Sequence, residues 1–379
     1  MTSRLAEAWA SFREMPLRRH LAGVALVAAL LALRFAGEIF AIGPIQDEEV
    51  YVAAFEQVQQ GLSPYSVPQF YYLPPFAAGG AMVADQAGME ATLALLRAAN
   101  LLAAAGLIWL ATGCWRLSFI RRVGVAAIYG VLAPGVDLAL AWGNLSPLAL
   151  ILWISAFLLW SRRPILAGAC YALAMLVKPV AAIGIGLLAL HRPESSEARP
   201  IWRQPQLLAG ATTAVLLLAA LLASPYLREF FGLAAGVPSA ARSASLHRLL
   251  YCFGIEISAL LLMAVVFAVA LILLRRRQRG PAGLYAFAAI AALLATPLVW
   301  SHTLLLVLPL QSAALAVASN RRDRVELLLV ATAVLAIQMS NGLGGGETWP
   351  LALQGLFVLL PCFAPLGLGL YLTGRDQTR

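Results

Sequence analysis

Three carboxylates in a row, Asp47, Glu48 and Glu49, open the stretch IQDEEVYVAAFEQVQQGLSPYSVPQFYYLPPFA, and Tyr51, Tyr65, Phe70, Tyr71, Tyr72 and Pro74-Pro75 follow within it. A carboxylate can take a proton from a hydroxyl or accept its hydrogen bond, and tyrosine offers an apolar face with a polar tip. The segment therefore has the makings of a site for a sugar or a lipid phosphate. An acidic interfacial loop with an aromatic belt is the plainer alternative. If this stretch is helical, Glu48 and Glu49 project about 100° and 200° away from Asp47, so the three cannot share one pocket. Tyr51, four residues on, shares the Asp47 face.

Other residues with chemical potential sit far away in the chain. ATPLVWSHTLLLVLPL brings Trp300 and His302 to the outer end of an apolar run, where a histidine can move a proton or simply satisfy a helix end. WGNLSPL carries Trp142, Asn144 and Ser146, with helix capping by Asn144 as the bland reading. RSASLHRLL offers Arg242, His247 and Arg248, which could hold a phosphate or form a solvated basic loop. Lys178, followed by Pro179, is the only lysine in the chain.

Composition limits what can position these groups. Of 379 residues 61% are hydrophobic and 12% charged, at a mean hydropathy of +0.82. Too few polar residues remain to cover a soluble core. Disorder and a membrane β-barrel are excluded as well, since one needs high charge and the other alternating polarity. A polytopic all-α membrane protein is left, read as one integral domain over 1–379. The 27 basic against 18 acidic residues are no nucleic-acid footprint, because the arginines cluster between apolar runs. Cys114, Cys170, Cys252 and Cys362 lack metal-ligand spacing and read as small hydrophobes. Arg18 and Arg19 precede an apolar stretch without a clear cleavage site, which reads as an uncleaved first span.

Runs of spanning length fall at roughly 20–42, 91–114, 122–141, 144–160, 206–224, 256–274, 282–299, 302–319, 325–343 and 350–372, with a further run at 164–190 interrupted by Lys178-Pro179. All but six basic residues lie in seven clusters, each expected on the cytoplasmic side. Parity then breaks the 164–190 run into two short helices with Lys178-Pro179 at the outer surface. This predicts twelve spans, both termini inside, and outer segments at 43–90 and 225–255, with Phe76 to Ala84 at the interface or re-entrant. The six exceptions are Arg34, Arg97, Lys178, Arg228, Arg242 and Arg248, all in the outer half or outer loops. Charges there tend to persist where they meet a partner. Acidic residues gather on the same side, so an outward-facing polar site is expected.

In succession, Asp47 with Tyr51, GLSPY, FYYLPPFA, WGN, LAGACYALAMLVKPVAA and TPLVWSHTLLLVLPL resemble glycosyltransferase family 87, the polyprenyl-phosphate-mannose-dependent mannosyltransferases of the GT-C superfamily that include phosphatidylinositol-mannoside enzymes. The resemblance covers roughly residues 20 to 320 in the family's order. It implies a GT-C fold in the plasma or inner membrane and a metal-independent, inverting sugar transfer on the outer face. The donor would be a polyprenyl-phosphate sugar, a co-substrate and not a bound cofactor, and the acceptor a lipid or glycan. By motif position the catalytic aspartate falls on Asp47, the tryptophan-histidine pair on Trp300 and His302, and the lysine-proline segment on Lys178. Two positions depart: Thr303 stands where the family often has a second histidine, and Ser243-Ala244-Ser245-Leu246 where Asn-Gln-Ser-Leu is usual.

The resulting expectation is catalysis by Asp47 and His302, with Glu48, Tyr51, Tyr71, Tyr72, Asn144, Lys178, Arg242, His247, Arg248 and Trp300 on the substrates. The rival class is a multispan transporter or lipid flippase, which a twelve-helix bundle with a helix broken at Pro179 would also suit. Against it, the two halves show no similarity and the polar residues gather on one face. A non-catalytic assembly partner would tolerate loss of Asp47.

Overall fold

The computed structural model describes residues 15–115, 117–160, 162–179, 205–235, 245–276, 281–296, 303–321, 324–338 and 351–374, and among these every regular element is helical. In order they are α1 (Leu17–Arg34), α2 (Ala36–Ile39), α3 (Gln46–Gln59), α4 (Pro74–Ala87), α5 (Met89–Thr112), α6 (Phe119–Leu132), α7 (Pro134–Ala141), α8 (Ser146–Leu159) and α9 (Pro164–Val177). There follow α10 (Pro205–Leu222), α11 (Leu227–Ala235), α12 (Leu246–Cys252), α13 (Ala259–Arg276), α14 (Pro281–Ala295), α15 (Leu308–Arg321), α16 (Arg324–Gln338) and α17 (Leu351–Gly374).

Proline sets many of the boundaries. It is the first residue of α4, α7, α9, α10 and α14, where its missing N–H is one the helix cannot use. The residue before a proline is pushed out of the helical region, and Lys178 is accordingly extended (φ −154°, ψ 112°), so that α9 stops at Val177. The break expected at Lys178-Pro179 is therefore present. The second short helix expected after it lies outside the described residues.

These interruptions also change the span count. Helix α5, 24 residues long, is long and apolar enough to cross a membrane. Two bent pairs, α6 with α7 at 69° and α10 with α11 at 104°, raise the number among the described residues to three at most. The twelve spans read from the sequence are thus not present among the described residues as twelve full-length helices: α8 and α9 have 14 residues each, about 21 Å at 1.5 Å per residue against a core of about 30 Å. Apolar runs counted without their prolines overstate helix length. The run at 122–141, cut at Pro134, shows it most clearly.

The main core joins α1, α5, α8, α9, α14 and α15 around Trp109, Trp153, Phe157 and Tyr171. At one end Trp109 donates its indole N–H to His20 Nδ1 (3.1 Å) and lies under the Arg122 guanidinium, 4.0 Å from the ring centre, which ties α1, α5 and α6 together. Outward-facing leucines such as Leu26 and Leu30 of α1 and Leu216 and Leu218 of α10 are exposed, a surface suited to lipid.

A second, smaller core lies over α5, where α3, the loop after it and α4 pack through Tyr51, Phe55, Phe70, Tyr72, Ala77 and Leu145. Full burial of a side chain such as Phe55 or Phe70 contributes about 1.5–3 kcal/mol. Gly80 makes the α3–α4 approach possible, since a Cβ there would collide with the Phe55 ring. The stretch from Phe76 to Ala84 is thus helical and buries Ala77, Ala81 and Ala84. The segments at 43–90 and 225–255, expected on the outer side, touch: Ser63 hydrogen-bonds Glu229, and the Tyr65 and Phe230 rings are 6.0 Å apart.

Candidate functional site

The site is built on the first turn of α3. Helix N-termini leave backbone N–H groups without intrahelical partners, and here they are met in two ways. The Ile45 amide donates to Glu48 Oε2 (3.0 Å), a carboxylate reaching back from the third helical position. The Asp47 amide donates to the Trp142 carbonyl (2.8 Å), which docks the turn after α7 onto the start of α3. Gly143 makes that docking fit: its φ is +71°, and a Cβ would lie 2.5 Å from Glu48 Cγ.

From this turn Asn144 projects between two charged groups. Its Nδ2 donates to Asp47 Oδ2 at 2.6 Å, and its Oδ1 accepts from the Ser146 amide (3.0 Å), the Ser146 hydroxyl (2.7 Å) and Lys178 Nζ (3.2 Å). Lys178 also donates to Ser146 Oγ at 2.5 Å. Amide orientation is fixed by this set, because an ammonium can only donate and an ionised carboxylate only accept. A continuous row results: carboxylate, amide, hydroxyl, ammonium.

Asp47 is half-buried, and burial raises its pKa above the ordinary aspartate value, opposed by the Asn144 hydrogen bond and the Lys178 charge and reinforced by the Glu48 charge. Beside it the Tyr51 and Tyr72 hydroxyls meet at 2.7 Å, with Phe76 stacked on Tyr72 at 4.9 Å. Burial pushes both phenols up, Tyr51 further by the neighbouring Tyr72 and Asp47. They stay protonated near neutrality and act as hydrogen-bonding groups. A carboxylate made more basic by burial, one side chain away from an ammonium, can accept a proton while a nearby anion is stabilised.

Asp47, Tyr51, Tyr72, Asn144 and Lys178 are thus brought together. Glu48, expected on the substrate, is not part of this group: it is 2% exposed and its carboxylate is held by Arg97, Nη2 to Oε2 at 2.6 Å. Glu49 is exposed and Tyr71 half-buried. His247 bonds the Ile257 carbonyl (2.9 Å), while Arg248 is buried and donates to Gln354 of α17, so this pair ties α12 into the bundle. Arg242, Trp300 and His302 lie outside the described residues. Of the six basic residues outside the clusters, Arg34 also finds a partner, Asp137 at 2.8 Å.

Three participants are absent from the site residues expected on sequence, the first being Ser146, which bonds both Asn144 and Lys178. Asn100 donates to the Asn144 carbonyl (3.0 Å), and Arg97 takes Glu48 as its partner. For Arg97 and Asn100, two polar residues three apart in the middle of a largely apolar helix were the available signal. Among the described residues no group of three or more His, Cys, Asp or Glu side chains is arranged to hold a metal. No protein-family model, curated protein or solved structure matches the chain.

Proposed function

We propose that the chain is a membrane glycosyltransferase that moves a sugar, mannose by its resemblance to glycosyltransferase family 87, from a polyprenyl phosphate to a hydroxyl of a lipid or glycan acceptor. The reading includes a GT-C arrangement of twelve membrane segments, several of them shorter than a full span, with both termini cytoplasmic and the site on the outer face of the cell membrane. Its main support is the row Asp47–Asn144–Lys178, with its 2.6 Å amide-to-carboxylate bond. In this reading Asp47 takes the acceptor hydroxyl proton as that oxygen attacks the anomeric carbon from the side opposite the phosphate. The bond from that carbon to the phosphate oxygen breaks, and its electron pair leaves on the lipid phosphate, stabilised by Lys178. His302 orients the acceptor or the carboxylate. Phe76, half-buried and stacked on Tyr72, offers an apolar face suited to a sugar ring or the start of a lipid tail.

The test is direct. Purified protein is incubated with a panel of polyprenyl-phosphate sugars and membrane lipid extracts, and released polyprenyl phosphate and new glycolipid are followed by mass spectrometry. One donor sugar should support both products in equal amounts. Failure of every donor to react would set the transferase reading aside in favour of transport.

A further inference from the structure

The bond between Asp47 and Asn144 is only as fixed as the two segments that carry it, and both hang from one face of α5. Arg97 and Asn100 stand three residues apart on that helix and so share a face, and both are buried. Arg97 grips the segment leading into α3. It donates to the carbonyls of Ala41 (2.6 Å) and Gly43 (2.5 Å), and its Nε and Nη2 hold Glu48 Oε1 and Oε2 at 2.9 and 2.6 Å. Asn100 grips the other segment, its Nδ2 donating to the carbonyls of Asn144 (3.0 Å) and Ala139 (3.4 Å).

We infer that Arg97 and Asn100 are positioning residues that hold Asp47 in register with Asn144, with Glu48 as the peg through which Arg97 acts. The inference rests on the role given to Asp47 above. Asn100 carries a second mark: its Oδ1 is buried without a hydrogen-bond partner, beside a small cavity lined by Glu48, Arg97, Gly143 and Leu145. Burying an unsatisfied polar atom costs about 1–3 kcal/mol. An apolar side chain would avoid that cost, so the position is explained by the amide N–H groups, which hold the turn.

The charged and titratable groups around Asp47 are Glu48, Glu49 and Tyr51 of α3, Tyr72 before α4, Arg97 of α5 and Lys178 after α9. Two of the neighbouring side chains should act on Asp47 in opposite directions. Removing the Asn100 amide loosens the Asn144 turn and weakens the hydrogen bond that favours the ionised carboxylate, so Asp47 should hold its proton to higher pH. Glu48→Gln keeps the shape and one of the two acceptor oxygens facing Arg97 but deletes the nearest negative charge, so Asp47 should lose its proton at lower pH. General loosening of the fold gives no such opposed pair.

The experiment uses the full chain in detergent or nanodiscs and dicyclohexylcarbodiimide, which modifies protonated carboxyl groups. Labelling of Asp47 is quantified by peptide mass spectrometry across a pH series, with sugar transfer measured in parallel. Asn100→Ala should move the labelling midpoint up by about one pH unit, a tenfold change in proton affinity, and the acid limb of kcat/KM should move with it while donor KM holds. Glu48→Gln should move both down; should that variant fail to fold, Asn100→Ala alone decides. Unmoved midpoints with transfer intact would overturn the positioning and leave the catalytic reading standing. Opposed shifts with no transfer by any form, wild type included, would support the registry and sink the catalytic reading.

Discussion

Replacing Asp47 by asparagine separates basicity from shape. The Asn144 Nδ2 that donates to Asp47 Oδ2 at 2.6 Å can donate equally to the amide oxygen of the replacement side chain, so the row keeps its geometry. A base that accepts a proton in the transition state contributes about 10²–10⁴ in rate, or about 2.7–5.5 kcal/mol at about 1.36 kcal/mol per factor of ten. Turnover should fall by that factor at saturating donor. Stability should not fall with it. Burial is the largest influence on Asp47 and raises its pKa over the unfolded value, so the ionised form weighs against the fold once pH exceeds that value. A neutral side chain removes this penalty, and the thermal midpoint at neutral pH should equal or exceed that of the wild type. Single-turnover transfer with mass-spectrometric product analysis, run beside a thermal-unfolding scan, reads both quantities. Activity above about a tenth of wild type in a folded Asp47→Asn protein would refute the base assignment.

Three further outcomes follow from the same geometry. Because the active form of Asp47 is ionised and burial raises its pKa, kcat/KM should rise with pH through a midpoint above 3.8, and a pH–rate profile should show this limb disappear in Asp47→Asn. Lys178→Ala removes a charge-assisted contact of about 1.5–3 kcal/mol, so donor KM should rise about 10- to 100-fold with the protein still inserted, as titration with the lipid donor would show. Gly143→Ala meets both a left-handed backbone, costing about 1–2 kcal/mol, and Glu48 Cγ at 2.5 Å, so its thermal midpoint should drop together with transfer activity.

The all-helical class and the residues of the Asp47–Asn144–Lys178 row were legible in the sequence, but not how they meet. Three adjacent carboxylates on a helix must diverge, and they do: Glu48 turns to the interior, Glu49 to the surface, Asp47 to the half-buried edge between them. Pro179 forecast the end of α9 through a purely local steric rule. By contrast, nothing in the spacing of Asp47, Asn144 and Lys178 announces that one amide bridges them, because each contact closes across a long stretch of chain. Arg97 and Glu48, 49 residues apart, form their ion pair by the same long-range packing. Helix lengths were overestimated for a simpler reason: hydropathy is blind to where proline and glycine bend a run.

The members of the row share one property, their order in synthesis. Asp47, Asn144, Ser146 and Lys178, with Arg97 and Asn100 that support them, all precede Pro179, and so do the partners of the bonds that register them. At about 5–20 residues per second, the ribosome needs roughly 6–25 s to go on from Lys178 to His302. The carboxylate and its ammonium can therefore be locked in place in the nascent protein before His302 or the 225–255 segment has been translated. An N-terminal fragment ending after Pro179 would hold every described member of the row.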